Sequence, residues 1–394
     1  MSPLLMIFAC GSPGPLSEGP SLATELDAVT RALTELGPRQ VATPAEAEAR
    51  RRVQVFFEEA GLEDVHLESF QFDAWRPGRA TIEAGDQSFE VEALSPSPET
   101  NLSAPLALST EDFAGGIVLM SSDTGDRAEH FFAATLGGAE ALVRITEDVD
   151  YDGGPLVEVG HTLEGTQFPS AGVDAFTGRV LETHAGELAT LTLEPVVKVD
   201  HTSFNVVGKI SGSGEGTVYV VAHYDSWHTS ESAFDNALGV AGQVILARQL
   251  ARSRPPDREV VFLATSGEEQ GLQGAFAYAA AHGDEIGSED IVLTLDVIWS
   301  GEGAFRIHAT RDELVELALE AAEEQGVVSV ASGDPGIGSD HYPFVLQGAQ
   351  AIWCLRQPDR HYHTTEDTLE NLDMEEAAAA IRSQWTLLAA LAGV

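Results

Sequence analysis

Val218–Ala222 is an unbroken apolar run rich in β-branched residues, and Leu238–Leu250 carries Leu238, Ala241 and Ile245 at helical spacing. The first pattern predicts a buried strand and the second a helix packed by one face. The alternation continues to the C-terminus. Glu259–Ala264, Ile291–Leu295 and Ala351–Leu355 read as strands, and Gly271–Ala281, Asp312–Gln325 and Met374–Leu391 as helices. Strands alternating with helices predict a layered α/β domain around a mostly parallel mixed sheet.

Upstream, Ser21–Leu36 has helical spacing, and Thr43–Gly61 is bounded as a helix should be, with Thr43 as N-cap, Pro44 at the first helical position and Gly61 as stop. Val65–Phe72 alternates as a strand. From Ala74 to Val197 the pattern changes to short β-like runs with many Gly, Thr and Asp. Within it Ile117–Met120 and Ala141–Ile145 read as strands, and Arg127–Leu136 as a helix closed by Gly137 and Gly138. A later helix falls in Pro169–Leu181. The division expected is a linker segment over 1–20, the start of the main domain over 21–73, an insert over 74–198, and the rest of the main domain over 199–394.

Composition narrows the partners. The 394 residues include 63 acidic and 21 basic side chains, a net charge of −42. Phosphate backbones and anionic membranes select Lys and Arg, so nucleic acid is excluded as a partner, and most carboxylates read as a solvated surface. Two cysteines, Cys10 and Cys354, leave no disulfide framework. Leu4–Cys10, LLMIFAC, precedes the linker GSPGPLSEGPS and resembles the end of a bacterial lipoprotein signal, with Cys10 as a lipid anchor, although no Lys or Arg precedes it. The expectation is an extracytoplasmic protein, lipid-anchored or secreted; a disordered N-terminus and cytoplasmic residence stay open. No segment approaches the ~18 apolar residues of a membrane span. Oligomeric state is not readable.

Each of the four later strands leads into metal-ligating side chains. They are His223 with Asp225 and Asp235, then Glu268 with Glu269, then Asp296, then Tyr362 with His363. Chemistry gathers at the carboxyl ends of strands in open α/β sheets. Imidazole and oxygen donors without thiolate suit Zn²⁺, with Co²⁺ or Mn²⁺ as substitutes. Two histidines and three carboxylates exceed one catalytic zinc but suit two metals about 3.5–4 Å apart sharing a carboxylate. Adjacent glutamates can then divide the work, one ligating and one acting as general base.

AHYDSW, FDNALGVAG, TSGEEQGLQGA, LTLD, GSDHYPF and YHTTEDTLENLD occur in order over Phe204–Asp373. This region resembles the co-catalytic di-zinc aminopeptidases, the family that also contains glutamate carboxypeptidase, glutaminyl cyclase and the transferrin receptor. The insert resembles the β-rich protease-associated domain, which implies a lid or substrate-access role. The resemblance implies a three-layer zinc-peptidase domain holding two Zn²⁺ per chain. His223 and Asp296 would ligate one zinc, Glu269 and His363 the other, and Asp235 would bridge both. Glu268 would be the base, Tyr362 would face the developing oxyanion, and Asp225 would orient the His223 ring.

The expected activity is release of N-terminal residues from peptides, since an acidic cluster favours a free α-ammonium group. A carboxypeptidase would need cations for the terminal carboxylate, and Arg306, Arg311, Arg356 and Arg360 keep that alternative open. Glutaminyl cyclases typically have Trp where this chain has Tyr362. A non-catalytic binding module would need degraded ligands, which this chain does not have. Trp299, close behind Asp296, reads either as a wall of the substrate pocket or as a core aromatic. Asp340 is a candidate proton carrier, Asp334 and Asp367 read as turn and loop residues, and His228, His341 and His361 as surface or supporting groups.

Overall fold

The computed structural model describes residues 21–125, 127–149, 153–160, 167–299, 303–356 and 361–394. The 1–20 segment with Cys10, and Arg360, lie outside the described residues. The chain opens with α1 (Leu22–Thr34) and α2 (Pro44–Ala60). Ser21 caps α1 by accepting the Thr24 N–H at 3.3 Å, and Thr43 caps α2 by accepting the Glu46 N–H at 3.2 Å. Gly61 ends α2 at φ 90°, in the left-handed region where a Cβ is costly.

Next come β1 (Glu63–Ala84), β2 (Gln87–Glu90), β3 (Glu92–Ala93), β4 (Thr100–Leu108), β5 (Ile117–Ser121), α3 (Arg127–Leu136), β6 (Ala141–Thr146), β7 (Ser170–Asp174) and α4 (Ala175–Glu182). The long β8 (Leu188–Ile210) leads back to the main domain, through β9 (Thr217–His223), α5 (Leu238–Arg252), β10 (Glu259–Thr265), α6 (Gln273–Ala281) and β11 (Ile291–Thr294). The chain closes with β12 (Phe305–Ala309), α7 (Asp312–Glu324), β13 (Ser329–Gly333), α8 (Tyr342–Leu346), β14 (Gln350–Leu355) and α9 (Met374–Ala392).

The main sheet runs β13-β12-β14-β11-β9-β10-β8, and β8 carries it on into the insert as β4-β5-β6-β7-β3. β14, β11, β9 and β10 are mutually parallel, so their carboxyl ends share one edge. β12 is antiparallel to β14 and β8 to β10, which makes the sheet mixed. Alternation delivers successive residues to opposite faces. Val218, Val220 and Ala222 face a core shared with α1, α2, α5, α7 and α9. Tyr219 and Val221 face the smaller core under α6 and α8. The result is the expected three-layer domain.

β1 is much longer than Val65–Phe72. It pairs with β8 along almost its whole length, and the expected division points at 73/74 and 198/199 fall inside this two-stranded ribbon. Register shifts between Phe72 and Ala74 and between Arg76 and Arg79 bend it there. Pro77 and Gly78 interrupt the period-2 pattern, which is why the strand reads short in sequence.

Glu46 ties α2 to the sheet. It is buried, and one oxygen accepts the Ala42 N–H at 2.9 Å. The other accepts the hydroxyls of Ser203 on β8 and Ser266 just past β10. Removing the carboxylate strands three donors in the interior. We expect Glu46→Ala to lose about 2–4 kcal/mol of stability in denaturant unfolding, and Glu46→Gln, which keeps one acceptor, to lose less; equal stability of all three proteins would show that the tie is dispensable.

Candidate active site

His223 ends β9 and lies beside Thr265 of β10 in the parallel register. Its ring is buried, with Nε2 at 3.0 Å from Asp235 Oδ1 and 3.4 Å from Asp296 Oδ1. Asp235 sits in the turn over Ala233–Ala237 that leads into α5. Its other oxygen, Oδ2, is 3.0 Å from His363 Nε2, which in turn is 3.2 Å from Glu269 Oε2. Asp235 therefore stands between two imidazoles with one oxygen toward each. Glu268 reaches the same space, 3.9 Å from His223 Nε2. The structure thus brings together all five expected ligands and the expected base. His223, Asp235 and Glu269, and likewise His223, Glu268 and Asp296, each offer one ligand atom within 4.8 Å of the others.

The expected role of Asp225 differs in detail. The Asp225 carboxylate is 3.7 Å from His223 Nδ1, beyond a hydrogen bond. The ring nitrogen instead lies 3.2 Å from the Asp225 main-chain carbonyl, while Asp225 Oδ1 accepts the Glu268 N–H at 3.3 Å. Asp225 thus orients His223 through its backbone and Glu268 through its side chain. Tyr362 stacks on His363 with ring centroids 3.8 Å apart and meets Phe234 edge-on. Burial first, then the negative charge of Asp235, raise its phenol well above the usual value. It therefore stays a hydrogen-bond donor.

Charge is the unusual feature of the site. Burial, reinforced by neighbouring carboxylates, pushes Glu268 and Glu269 well above the ordinary carboxylate range. His223 is opposed by burial, yet Glu268, Asp225, Asp235 and Asp296 outweigh it and hold the imidazole well above its usual value. His363 is lowered, by burial and by the Arg127 guanidinium. Glu269 Oε1 and Asp296 Oδ1 are buried without a hydrogen-bond partner. Buried polar atoms are almost always satisfied. Unpaired acceptors crowded with carboxylates fit divalent cations, and the donor set of imidazole and carboxylate suits zinc.

Several groups that hold the site carry no sequence signal. Asp367, read as a loop residue, accepts the main-chain N–H of Phe234 at 2.6 Å and of Asp235 at 3.1 Å. Arg39 is fully buried and donates to the carbonyls of Tyr224, Glu231 and Ser232 at 3.0, 2.6 and 2.9 Å. Burial lowers its guanidinium to about 10, with Asp367, Asp225, Asp235 and Glu269 opposing, so it stays cationic behind the carboxylates. Ser339 donates to Asp296 Oδ2 at 2.6 Å, and the Trp353 indole donates to the Asp296 carbonyl at 3.0 Å. Asp340 accepts the Thr265 hydroxyl. Arg356, a candidate carboxylate receptor, is instead stacked on Trp299 at 3.7 Å and bonded to the Gly303 carbonyl. Trp299 is buried in the main core, a core aromatic and not a pocket wall. Among the described residues, Arg127 of the insert touches the cluster, 2.9 Å from His363 Nδ1.

A carboxylate between two imidazoles, flanked by carboxylates on parallel strand ends, fits the metal centre of a metallohydrolase. The comparisons agree. Residues 205–388 match the model of peptidase family M28. The chain is similar to the aminopeptidase YwaD of Bacillus subtilis, 28% identical over 374 residues that span 88% of this chain and 79% of that one. It is also similar to the probable leucine aminopeptidase 2 of Aspergillus fumigatus, 25% identical over 84% of this chain and 74% of the relative. Among solved structures, BSAP, a zinc aminopeptidase from Bacillus subtilis, superposes with TM-score 0.73 at 25% identity, covering 95% of this chain and 96% of that one. The glutaminyl cyclase of Fimbriiglobus ruber shares the fold, with TM-score 0.53 at 13% identity over 97% and 99% of the two chains.

Asp367→Asn would set an amide donor against one of the two main-chain donors that the carboxylate now satisfies. The expected result is a loss of about 1–3 kcal/mol in thermal unfolding and zinc binding weakened about 10–100-fold in chelator competition. Wild-type values in both measurements would remove Asp367 from the support of Asp235.

Proposed function

We infer that the chain is a zinc-dependent metallo-aminopeptidase that hydrolyses N-terminal residues from peptides. The observation that carries this reading is Asp235, with one carboxylate oxygen 3.0 Å from the Nε2 of each of His223 and His363. His223 and Asp296 would hold one zinc, Glu269 and His363 the second, and Asp235 would reach both. When bound, the pair polarises the scissile carbonyl and lowers the pKa of the attacking water.

The remaining steps belong to the side chains. Glu268 takes the proton from the attacking water as the new C–O bond forms at the carbonyl carbon. As the C–N bond breaks, it passes that proton to the departing amine. Glu268 reaches the cluster beside the proposed ligands, 3.9 Å from His223 Nε2. The Tyr362 hydroxyl donates toward the oxygen on which negative charge develops. The excess of carboxylates favours a substrate with a free α-ammonium group and disfavours a terminal carboxylate.

The insert fits the protease-associated reading in its strand and helix pattern, with β5, α3, β6, β7 and α4 following in order. Export with a lipid anchor at Cys10 is part of the same proposal and rests on the LLMIFAC stretch alone. Among the described residues no helix is long and apolar enough to cross a membrane.

Aminoacyl-p-nitroanilides are expected to be hydrolysed by the wild type, with activity lost on dialysis against a chelator and restored by zinc. Glu268→Ala should lower kcat by about 10²–10⁴-fold while two zincs stay bound. Loss of zinc together with activity would make Glu268 a ligand and not the base. An N-terminal glutaminyl peptide that cyclises without hydrolysis of a peptide bond would overturn the peptidase assignment in favour of a cyclase.

A further inference from the structure

His363 follows β14 outside regular structure and adopts φ 58°, a left-handed backbone that a non-glycine residue holds only with outside support. That support comes from the insert. The Val159 N–H donates to the His363 carbonyl at 2.9 Å. Arg127, at the start of α3, places Nη1 2.9 Å from His363 Nδ1 and donates from the same nitrogen to the Val159 carbonyl. Its guanidinium also lies over the Tyr362 ring at 5.8 Å, capping the Tyr362–His363 stack.

Glu158 fixes the guanidinium in turn. It pairs with Arg127 at 3.3 Å and with the buried Arg144 at 2.9 Å, and these cations outweigh burial to hold its carboxyl below the usual range. Gly160 leaves the room this approach needs. A Cβ there would lie 2.7 Å from His363 Nδ1 and closer still to Arg127 Nη1. A second link runs the other way. Trp227, from the loop after β9, is buried in the insert's core, and its ring meets His363 edge-on with centroids 5.8 Å apart. The neighbouring His228 meets Glu92 of β3 at 3.1 Å. Nothing equivalent reaches His223, whose described partners all lie in the main domain.

We propose that Arg127, Glu158, Val159 and Gly160 of the insert form a clamp that positions His363, so that the second of the two metal sites is assembled jointly by the insert and the main domain. The inference rests on His363 ligating the second metal. It makes the insert a structural part of the centre, where the family resemblance implies only a lid. Arg127 and Gly160 are positioning residues: Arg127 holds the Val159 carbonyl and covers the Tyr362 ring, and Gly160 leaves the room that lets the Val159 N–H reach the His363 carbonyl.

The test is cobalt(II) titration of the full chain, read by visible absorption and by equilibrium dialysis, with thermal unfolding in chelator alongside. Wild type is expected to bind two ions and His363→Ala one. Gly160→Ala and Arg127→Ala should each weaken the second ion about 10–100-fold and leave the affinity of the first ion unchanged, even where the unfolding midpoint in chelator falls. Arg127→Lys should recover part of the loss, because one ammonium cannot reproduce the guanidinium fork. If Gly160→Ala does not fold, Arg127→Ala decides. Two ions bound with wild-type affinity in the folded variants overturns the clamp and leaves the di-metal reading standing. Weakening of both ions in step with stability in chelator also overturns it, as a general folding defect. A wild type that binds fewer than two ions overturns the di-metal reading and the clamp with it.

Discussion

The structure is organised around a concentration of negative charge that its own chemistry opposes. Asp225, Asp235, Glu269, Asp296, Asp340 and Asp367 are buried, and Glu268 nearly so, around one edge of the sheet. Taking carboxylates out of water costs several kcal/mol each unless cations and hydrogen bonds offset it. The two imidazoles and the Arg39 guanidinium supply part of the offset, while burial, then the neighbouring carboxylates, still push Glu268 and Glu269 up. A pair of divalent ions completes the balance. Binding of those ions to the folded chain is therefore also folding free energy.

Holding such a cluster requires supports that do not themselves yield. Four parallel strands bring the ligands to one edge, with His223 beside Thr265 and Thr294 beside both Val221 and Trp353. Loops then carry each side chain the last few ångströms, and each loop is fastened by a buried polar group from elsewhere. Arg39 takes three carbonyls of the loop after β9, Asp367 takes two N–H groups of the Asp235 turn, and Ser339 takes Asp296. Each support is a fully used donor or acceptor in the interior, where a half-used one would be costly.

This division also explains what could be read from the sequence. Apolar runs that end in residues able to ligate a metal are local features, so the four strand ends, the five proposed ligands and the proposed base stand out in the chain. Thr43, Pro44 and Gly61 mark α2 for the same reason. The supports are not local. Arg39 and Asp367 look like ordinary loop residues because their roles depend on burial against segments more than a hundred residues away. β1 reads short because Pro77 and Gly78 break its period, although pairing with β8 carries the strand through them. Asp225 was legible as a neighbour of His223 but not in its division of labour, because residue spacing does not tell a carbonyl from a carboxylate.

The placement of cations follows from the same constraint. The chain has 21 basic residues against 63 acidic ones, and all but Lys198 and Lys209 are arginines. Solubility alone would put that scarce positive charge on the surface, yet Arg39, Arg144 and Arg356 are buried and Arg127 is nearly so. Each uses the planar fork of its guanidinium on several acceptors or an aromatic face: three carbonyls for Arg39, a carbonyl and a carboxylate for Arg144, a carbonyl and the Trp299 ring for Arg356. A lysine ammonium, compact and strongly hydrated, could not serve these geometries or lose its water as cheaply. In this strongly acidic chain, then, interior arginines offset part of the cost of burying the carboxylates beside them, as Arg39 and Arg144 do. Arg127 extends that role across the domain boundary, from the insert to His363.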